Sequence, residues 1–246
     1  MLAEFVAKIL SLGPPNFCTV GGLEYSDKEL RLIKPPAPAA VECSTLQGLV
    51  DLFQDDLDSV KPDEVLVHIT SPTTVELISK KSDEFGRRRT WAWAKYPECK
   101  GFNFGAWLDP ESFIISAQQH FQRVKVQQDD GSFAKDLEYV LKVASKISAE
   151  HAADNEDDGF AQRVTVRQGV ALKTETVLQP MVNLAPYRTF AEIDQVLSTF
   201  VLRARIDGGA AKLALFEGDG GRWKLAAVAA IKAWLQPKFG DVPVIS

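Results

Sequence analysis

The chain reads as an α+β protein: mainly antiparallel sheet with hairpins, two central helices, a C-terminal helix and an N-terminal arm. Three observations predict this. Segments of period two, rich in β-branched residues, recur over residues 64–96 and 162–216. Short turn sequences join them, Asp207-Gly208-Gly209 most plainly, and such links connect antiparallel neighbours. Helical periodicity falls in separate blocks and does not alternate with strands as crossover helices would.

In order, Leu2, Phe5, Val6, Ile9 and Leu10 make a helical stripe that Gly13-Pro14-Pro15 terminates. Residues 17–32 hold a short hairpin around Gly21-Gly22. Lys34-Pro-Pro-Ala-Pro-Ala-Ala40 is extended and stiff. Residues 1–43 therefore form a helix and a proline-rich arm, either wrapped on the body of the protein or packed on a neighbouring subunit. Residues 44–246 form one α+β domain.

Ser44 with Gln47 makes a capping box that opens a helix from Thr45 to about Asp58. Residues 60–108 are a hairpin region, with strands over 64–70, 72–80 and 90–96 and an irregular aromatic stretch from 97 to 105. Residues 109–150 are helical. Asp109-Pro110-Glu111 is a capping acid, a proline at the first helical position and a second acid, and that helix runs to about Arg123. Ser132 caps a longer helix through Ile147. Residues 151–159 read as an acidic loop.

Residues 160–237 carry the core sheet and the closing helix. Strands cover 162–170 and 171–179, and Pro180 ends the second because proline cannot donate to a ladder. Thr189 followed by Glu192 fits a capping box, so 190–197 is either a short helix or a structured loop. Strands over 199–206 and 210–216 follow. Glu217-Gly-Asp-Gly-Gly221 is a turn. A helix then carries Trp223, Ala227, Ala230, Ile231 and Trp234 as one apolar stripe, with Pro237 closing it.

Composition bounds the function. The 246 residues are 46% hydrophobic and 25% charged, ordinary for a globular protein. A net charge of −5 argues against general duplex binding, which runs on phosphate neutralisation, and leaves room for a local basic face. Cys18, Cys43 and Cys99 are odd in number and widely spaced, so a reduced cytoplasmic setting is expected. No apolar run is long enough to span a bilayer, and no membrane is expected. His68, His120 and His151 lie far apart. There is no His-Glu-x-x-His pattern, no phosphate-binding glycine loop, no dinucleotide fingerprint and no nucleophile elbow. No catalytic residue and no cofactor are expected.

Several runs together resemble one family. Val170-Ala-Leu-Lys-Thr-Glu175, Leu184-Ala-Pro-Tyr-Arg-Thr-Phe190, Phe200-Val-Leu-Arg203 and Leu215-Phe-Glu-Gly-Asp-Gly-Gly-Arg-Trp223 resemble the YfdQ-like proteins of phages and prophages. Phe85-Gly-Arg87 and Phe113-Ile-Ile115 extend the resemblance, which covers about residues 60–237. That family carries a domain of unknown function. The resemblance implies a phage or prophage origin, often near replication and recombination genes, and brings no catalytic residues.

Four constellations are candidates. In an extended strand Arg87, Arg89, Trp91, Trp93 and Lys95 share a face, and cations interleaved with aromatic planes suit single-stranded nucleic acid. The same face also reads as a buried sheet face or a subunit interface. Tyr187 and Arg188 form a candidate recognition loop, the structural alternative being that Arg188 satisfies loop carbonyls. Glu217 and Asp219 form a weak metal candidate, against a plain helix-capping role. Asp154 to Gly159 half matches a calcium loop, but Thr165 stands where the bidentate Glu belongs. The expected function is that of a phage- or prophage-encoded, non-enzymatic protein in the host cytoplasm, acting as a self-associating homo-oligomer. The alternatives are a nucleic-acid-binding accessory of phage replication or recombination, and a counter-defence protein that binds a host protein.

Overall fold

The computed structural model describes residues 3–4, 6, 13–20, 23–26, 38–55, 59–83, 86–97, 101–124, 136–149, 151–157, 162–168, 172–208 and 210–246. The chain divides into two compact units, Met1–Pro38 and Ala39–Ser246. In the first, β1 (Phe17–Val20) and β2 (Leu23–Ser26) pair antiparallel, Phe17 with Ser26 and Val20 with Leu23, as the glycine pair predicts. The expected arm ends earlier than residue 43, because Val41–Cys43 is a strand of the second unit's sheet.

The second unit is α+β. Its five-stranded sheet has the order β14-β4-β5-β6-β3, formed by β3 (Val41–Cys43), β4 (Val65–Ser71), β5 (Thr74–Ser79), β6 (Thr90–Lys95) and β14 (Val244–Ile245). The three central strands are antiparallel, as their hairpins predict, but both edge strands run parallel to their neighbours. Edges of three and two residues are too short to show a period, so sequence reading missed them. One face of this sheet packs on α1 (Leu46–Gln54) and α4 (Trp223–Phe239). There Leu46, Leu49, Val67, Leu77, Ala92, Ile231 and Leu235 have no exposed surface.

A second sheet has the order β13-β12-β11-β7, formed by β7 (Phe121–Gln122), β11 (Met181–Pro186), β12 (Ser198–Asp207) and β13 (Ala210–Glu217). It packs on α2 (Pro110–His120) and α3 (Leu137–Ala149), with Phe113, Phe200, Leu202 and Leu215 fully buried. Each such side chain contributes ~1.5–3 kcal/mol of burial. β8 (His151–Asp157), β9 (Gln162–Gln168) and β10 (Leu172–Leu178) form a three-stranded sheet of order β10-β9-β8.

Local chemistry explains the helix boundaries. Asp109 caps α2 by accepting from the Ser112 N–H, with Pro110 at the first position, as expected. The helix stops at His120 because Phe121 and Gln122 pair with Pro186 and Ala185. For α1 the cap is Thr45, which accepts from Gly48 N, one residue later than the Ser44 box. Gln47 instead donates to Asp51. Asp136 caps the described part of α3 by accepting from Glu138 N and Tyr139 N; the proposed Ser132 cap lies outside the described residues. α4 runs through Pro237 to Phe239 before Gly240 (φ 56°, ψ −115°) turns the chain.

One expected loop is a strand, and one further strand was not anticipated. His151–Asp157 pairs with β9, so the ladder offered by β9 overrides a polar sequence of low strand propensity. Met181–Pro186 pairs with β12 and β7 although it follows a proline. Of the two readings of 190–197, the loop is correct.

Candidate functional site

The loop between β11 and β12 holds two of the buried polar residues described, Thr189 and Gln195, with a third, Ser198, at the start of β12. Gln195 is 7% exposed and organises it. Its Oε1 accepts from Arg188 N at 3.0 Å, and its Nε2 donates to the carbonyls of Thr189, Phe190 and Ile193 at 3.2–3.4 Å. The supposed capping pair does other work. The Thr189 hydroxyl donates to the Pro72 carbonyl, and Glu192 accepts from Gln47 N. Phe190 and Ile193 thereby join the core of the five-stranded sheet, while the strands on either side belong to the other core.

Arg188 sits at the start of this loop with 12% of its side chain exposed. Nη1 donates to Glu217 Oε1 and Nη2 to Ser198 Oγ, both at 2.7 Å. The guanidinium lies over the Trp223 ring at 4.1 Å from its centroid. Burial pushes Arg188 below its ordinary value, and the Glu217 and Asp219 carboxylates oppose that shift. The guanidinium therefore serves a carboxylate, a hydroxyl and a ring, where loop carbonyls were expected. Its neighbour Tyr187 is 45% exposed, with its N–H donated to the His120 carbonyl.

Glu217 and Asp219 are separately engaged. Glu217 holds Arg188, whereas Asp219 accepts from Gly221 N at 3.0 Å at the entrance to α4. Burial alone would raise Asp219, but the N–H groups of Gly221 and Trp223, the Ser198 hydroxyl and Arg188 outweigh it and hold it below the ordinary carboxylate value. Both carboxylates act on the Arg188 guanidinium, Glu217 by a direct bond. Among the described residues no group of three or more His, Cys, Asp and Glu could hold a metal ion. A cleft of about 530 Å³ opens beside this centre, lined by Leu197, Ser198, Thr199, Asp219, Arg222 and Trp223.

The run from Arg87 to Lys95 is not one regular face. β6 begins at Thr90, and its register with β5 shifts so that Ala92 faces Leu77 while Thr90 faces Ile78. Trp91 is the extra residue of this bulge, which breaks the alternation between Arg89 and Trp93. Trp91 packs against the core cluster, its Nε1 buried without an acceptor, and Arg89 lies over its ring at 3.5 Å. Arg87 pairs with Asp83 at 2.9 Å, and Arg88 donates to the Ser79 and Lys80 carbonyls. Trp93 is half-buried on the face opposite the core, in register with Glu76 on one side and Glu42 on the other. Lys95 is exposed on the same strand.

Asp154 and Glu156 lie in β8, whose extended backbone does not wrap as a calcium loop does; Asp158 and Gly159 lie outside the described residues. His68 is on β4 and His120 ends α2, where its Nδ1 lies 2.7 Å from the Ser116 carbonyl oxygen.

One surface went unread in the sequence. α4 buries Ala227, Ile231, Leu235 and Phe239, and its exposed side mixes apolar residues with Lys224, Gln236 and Lys238. Leu225 is 78% exposed, and Ala226, Ala229 and Ala233 are exposed beside it. A surface helix ordinarily turns mainly polar residues outward, and this one exposes Leu225 with three alanines. No helix among the described residues is long and apolar enough to cross a membrane. Comparison of the chain with family models, curated proteins and solved structures gives no match.

Proposed function

We propose that this is a phage- or prophage-encoded, non-enzymatic protein that works in the host cytoplasm by self-association and binding. The carrying observation is the exposed side of α4, where Leu225, 78% exposed, and three alanines stand among Lys224, Gln236 and Lys238. Exposed apolar surface of this kind marks a contact site. The resemblance of the 170–223 motifs to the YfdQ-like proteins supports the phage origin. The polar groups around Arg188 support a non-enzymatic reading, because they bond to one another instead of presenting an unspent acid, base or nucleophile. Size exclusion with light scattering on the full chain tests the proposal. A mass that grows with concentration supports it, and a strict monomer at the highest concentration overturns it.

A nucleic-acid-binding role is the second reading, favoured by the Arg89 guanidinium stacked on Trp91 and by the half-exposed Trp93. It draws less support, because Arg87 and Arg88 are engaged locally and Glu42 and Glu76 flank Trp93. A salt-dependent binding assay with a single-stranded oligonucleotide, on wild type and on Trp91→Ala/Trp93→Ala, separates the two. Absence of binding at low salt ends this second reading.

A further inference from the structure

We infer that the side of the four-stranded sheet turned away from α2 and α3 binds single-stranded nucleic acid, with Phe216 and Trp107 as stacking surfaces and Arg205, Lys212 and Arg222 as phosphate contacts. This goes beyond the self-association reading and uses a different face from Trp91 and Trp93. Register builds the face. Phe200, Leu202, Leu213 and Leu215 point into the core, so their neighbours along each strand point the other way. Met181, Val201 and Phe216 then form one row across β11, β12 and β13. Arg203 and Ala214 form the next, and Arg205 and Lys212 the one after. Trp107 joins them from beside β13. It precedes the Leu108–Leu213 bridge, its ring lies 6.0 Å from Phe216, and the Arg205 guanidinium sits 4.4 Å from its centroid. Reaching both residues, it covers Ala214 between them, which has no exposed surface.

The face is open. Met181 is 53% and Phe216 36% exposed, and the Arg205 side chain 43%. The cleft beside α4 continues it, since Thr199, on the same side of β12 as Val201, lines that cleft with Gly218, Arg222 and Trp223. From the row of Lys212 to that of Thr199 the face spans roughly 20 Å at ~3.3 Å per residue, room for a site of about four nucleotides.

Charge and ring chemistry name the occupant. On this side β11, β12 and β13 carry Arg203, Arg205 and Lys212 against one acid, Asp207, in a chain whose net charge is −5. That one carboxylate is shared by Arg205 at 3.1 Å and Lys212 at 3.2 Å. At the other end Arg222 stands exposed in the cleft, and the acids near it are engaged, Glu217 with Arg188 and Asp219 with Gly221 N. Cations at both ends with aromatic rings between them match a strand whose phosphates follow the charges and whose bases stack on the rings. Bases also stack on a guanidinium plane such as that of Arg205. An acidic polypeptide would use the cations and leave the rings unmatched.

Fluorescence anisotropy on the full chain, with labelled oligothymidylate and oligouridylate and with a polyglutamate of matched charge, tests this over a salt series. Circular dichroism checks the folding of each variant. The oligonucleotides should bind at low salt, with log K falling against log salt at a slope of about −2, as three single-strand phosphate contacts require. Phe216→Ala should weaken binding about tenfold or more. Arg205→Glu with Lys212→Glu should also weaken it and flatten the slope to about −1 or less. Trp91→Ala/Trp93→Ala should leave it unchanged. Binding lost in that variant and kept in Phe216→Ala moves the site to β6 and overturns this one. Polyglutamate binding as tight as the oligonucleotides overturns it in favour of an acidic protein partner. A Phe216→Ala variant that loses self-association while keeping oligonucleotide binding assigns the face to a second copy and overturns it too. No binding at low salt overturns it and leaves the self-association reading standing.

Discussion

Replacing Arg188 with alanine is expected to destabilise the second unit by about 2–3 kcal/mol, a figure built from its partners. The guanidinium donates to Glu217 and to Ser198, both at 2.7 Å. Each hydrogen bond involving a charged group contributes ~1.5–3 kcal/mol. The stack on Trp223 adds ~0.5–2 kcal/mol. Withdrawing the guanidinium from water costs several kcal/mol and offsets much of this, to about the range given. Glu217 is 43% exposed and rehydrates when its partner is lost, so the loss stays below the ~3–5 kcal/mol of a fully buried pair. For a unit of this size ~1 kcal/mol moves Tm by roughly 2–4 °C, so a fall of roughly 4–12 °C is expected. Urea denaturation of wild type, Arg188→Ala, Glu217→Gln and the double variant should give a coupling of about 1–2 kcal/mol. Arg188→Lys should recover only part of the loss, because an ammonium lacks the fork that reaches both acceptors. A loss under about 0.5 kcal/mol in Arg188→Ala, with an unchanged m value, would refute the claim that this centre holds loop, sheet and helix together.

Other substitutions probe different forces. Gln195→Leu should cost about 2–3 kcal/mol in the same denaturation experiment, since it strands three carbonyls and the Arg188 N–H. Gly240→Ala should cost about 1–2 kcal/mol, because φ 56° with ψ −115° is a region that only glycine adopts freely. Asp109 is held below the ordinary carboxylate value, chiefly by the Ser112 N–H. Its stabilisation is fully present above the unfolded value near ~3.9 and is lost as pH falls through the lower folded value. Asp109→Asn keeps the cap, so melting at neutral pH should barely change while the acid-induced decline below about pH 4 becomes shallower.

The legible parts of this fold were those where chemistry is local. Asp109-Pro110-Glu111 gave α2 its start, and Asp207-Gly208-Gly209 gave the β12–β13 hairpin, because caps and turns are decided within a few residues. The mistakes came where a partner distant in sequence decides. β8 looks polar and becomes a strand only because β9 supplies the ladder. Thr189 and Glu192 have the spacing of a capping box, yet their partners, Pro72 and Gln47, lie more than a hundred positions away. The bulge at Trp91 splits a face that alternation alone would keep whole. Tyr187-Arg188 was singled out as a candidate recognition loop, but Ser198, Gln195 and Trp223 acquire their contacts to Arg188 only when the loop closes on them. The outward side of α4 was readable, since Leu225, Ala226, Ala229 and Ala233 break the expected polar face, but the inward stripe alone was followed.

The edges of the five-stranded sheet bear on how this protein is made. Val41–Cys43 flanks it on one side and Val244–Ile245 on the other, both in parallel register. During synthesis β4, β5 and β6 emerge long before β14, so the flank of β4 stays bare until the end of the second unit leaves the ribosome. Such an unpaired flank is a template for wrong partners. Pro243, whose carbonyl accepts from Val67 N, begins the short closure that ends this exposure. Yield of folded protein should therefore be sensitive to changes in Pro243, Val244 and Ile245, which close the flank of β4.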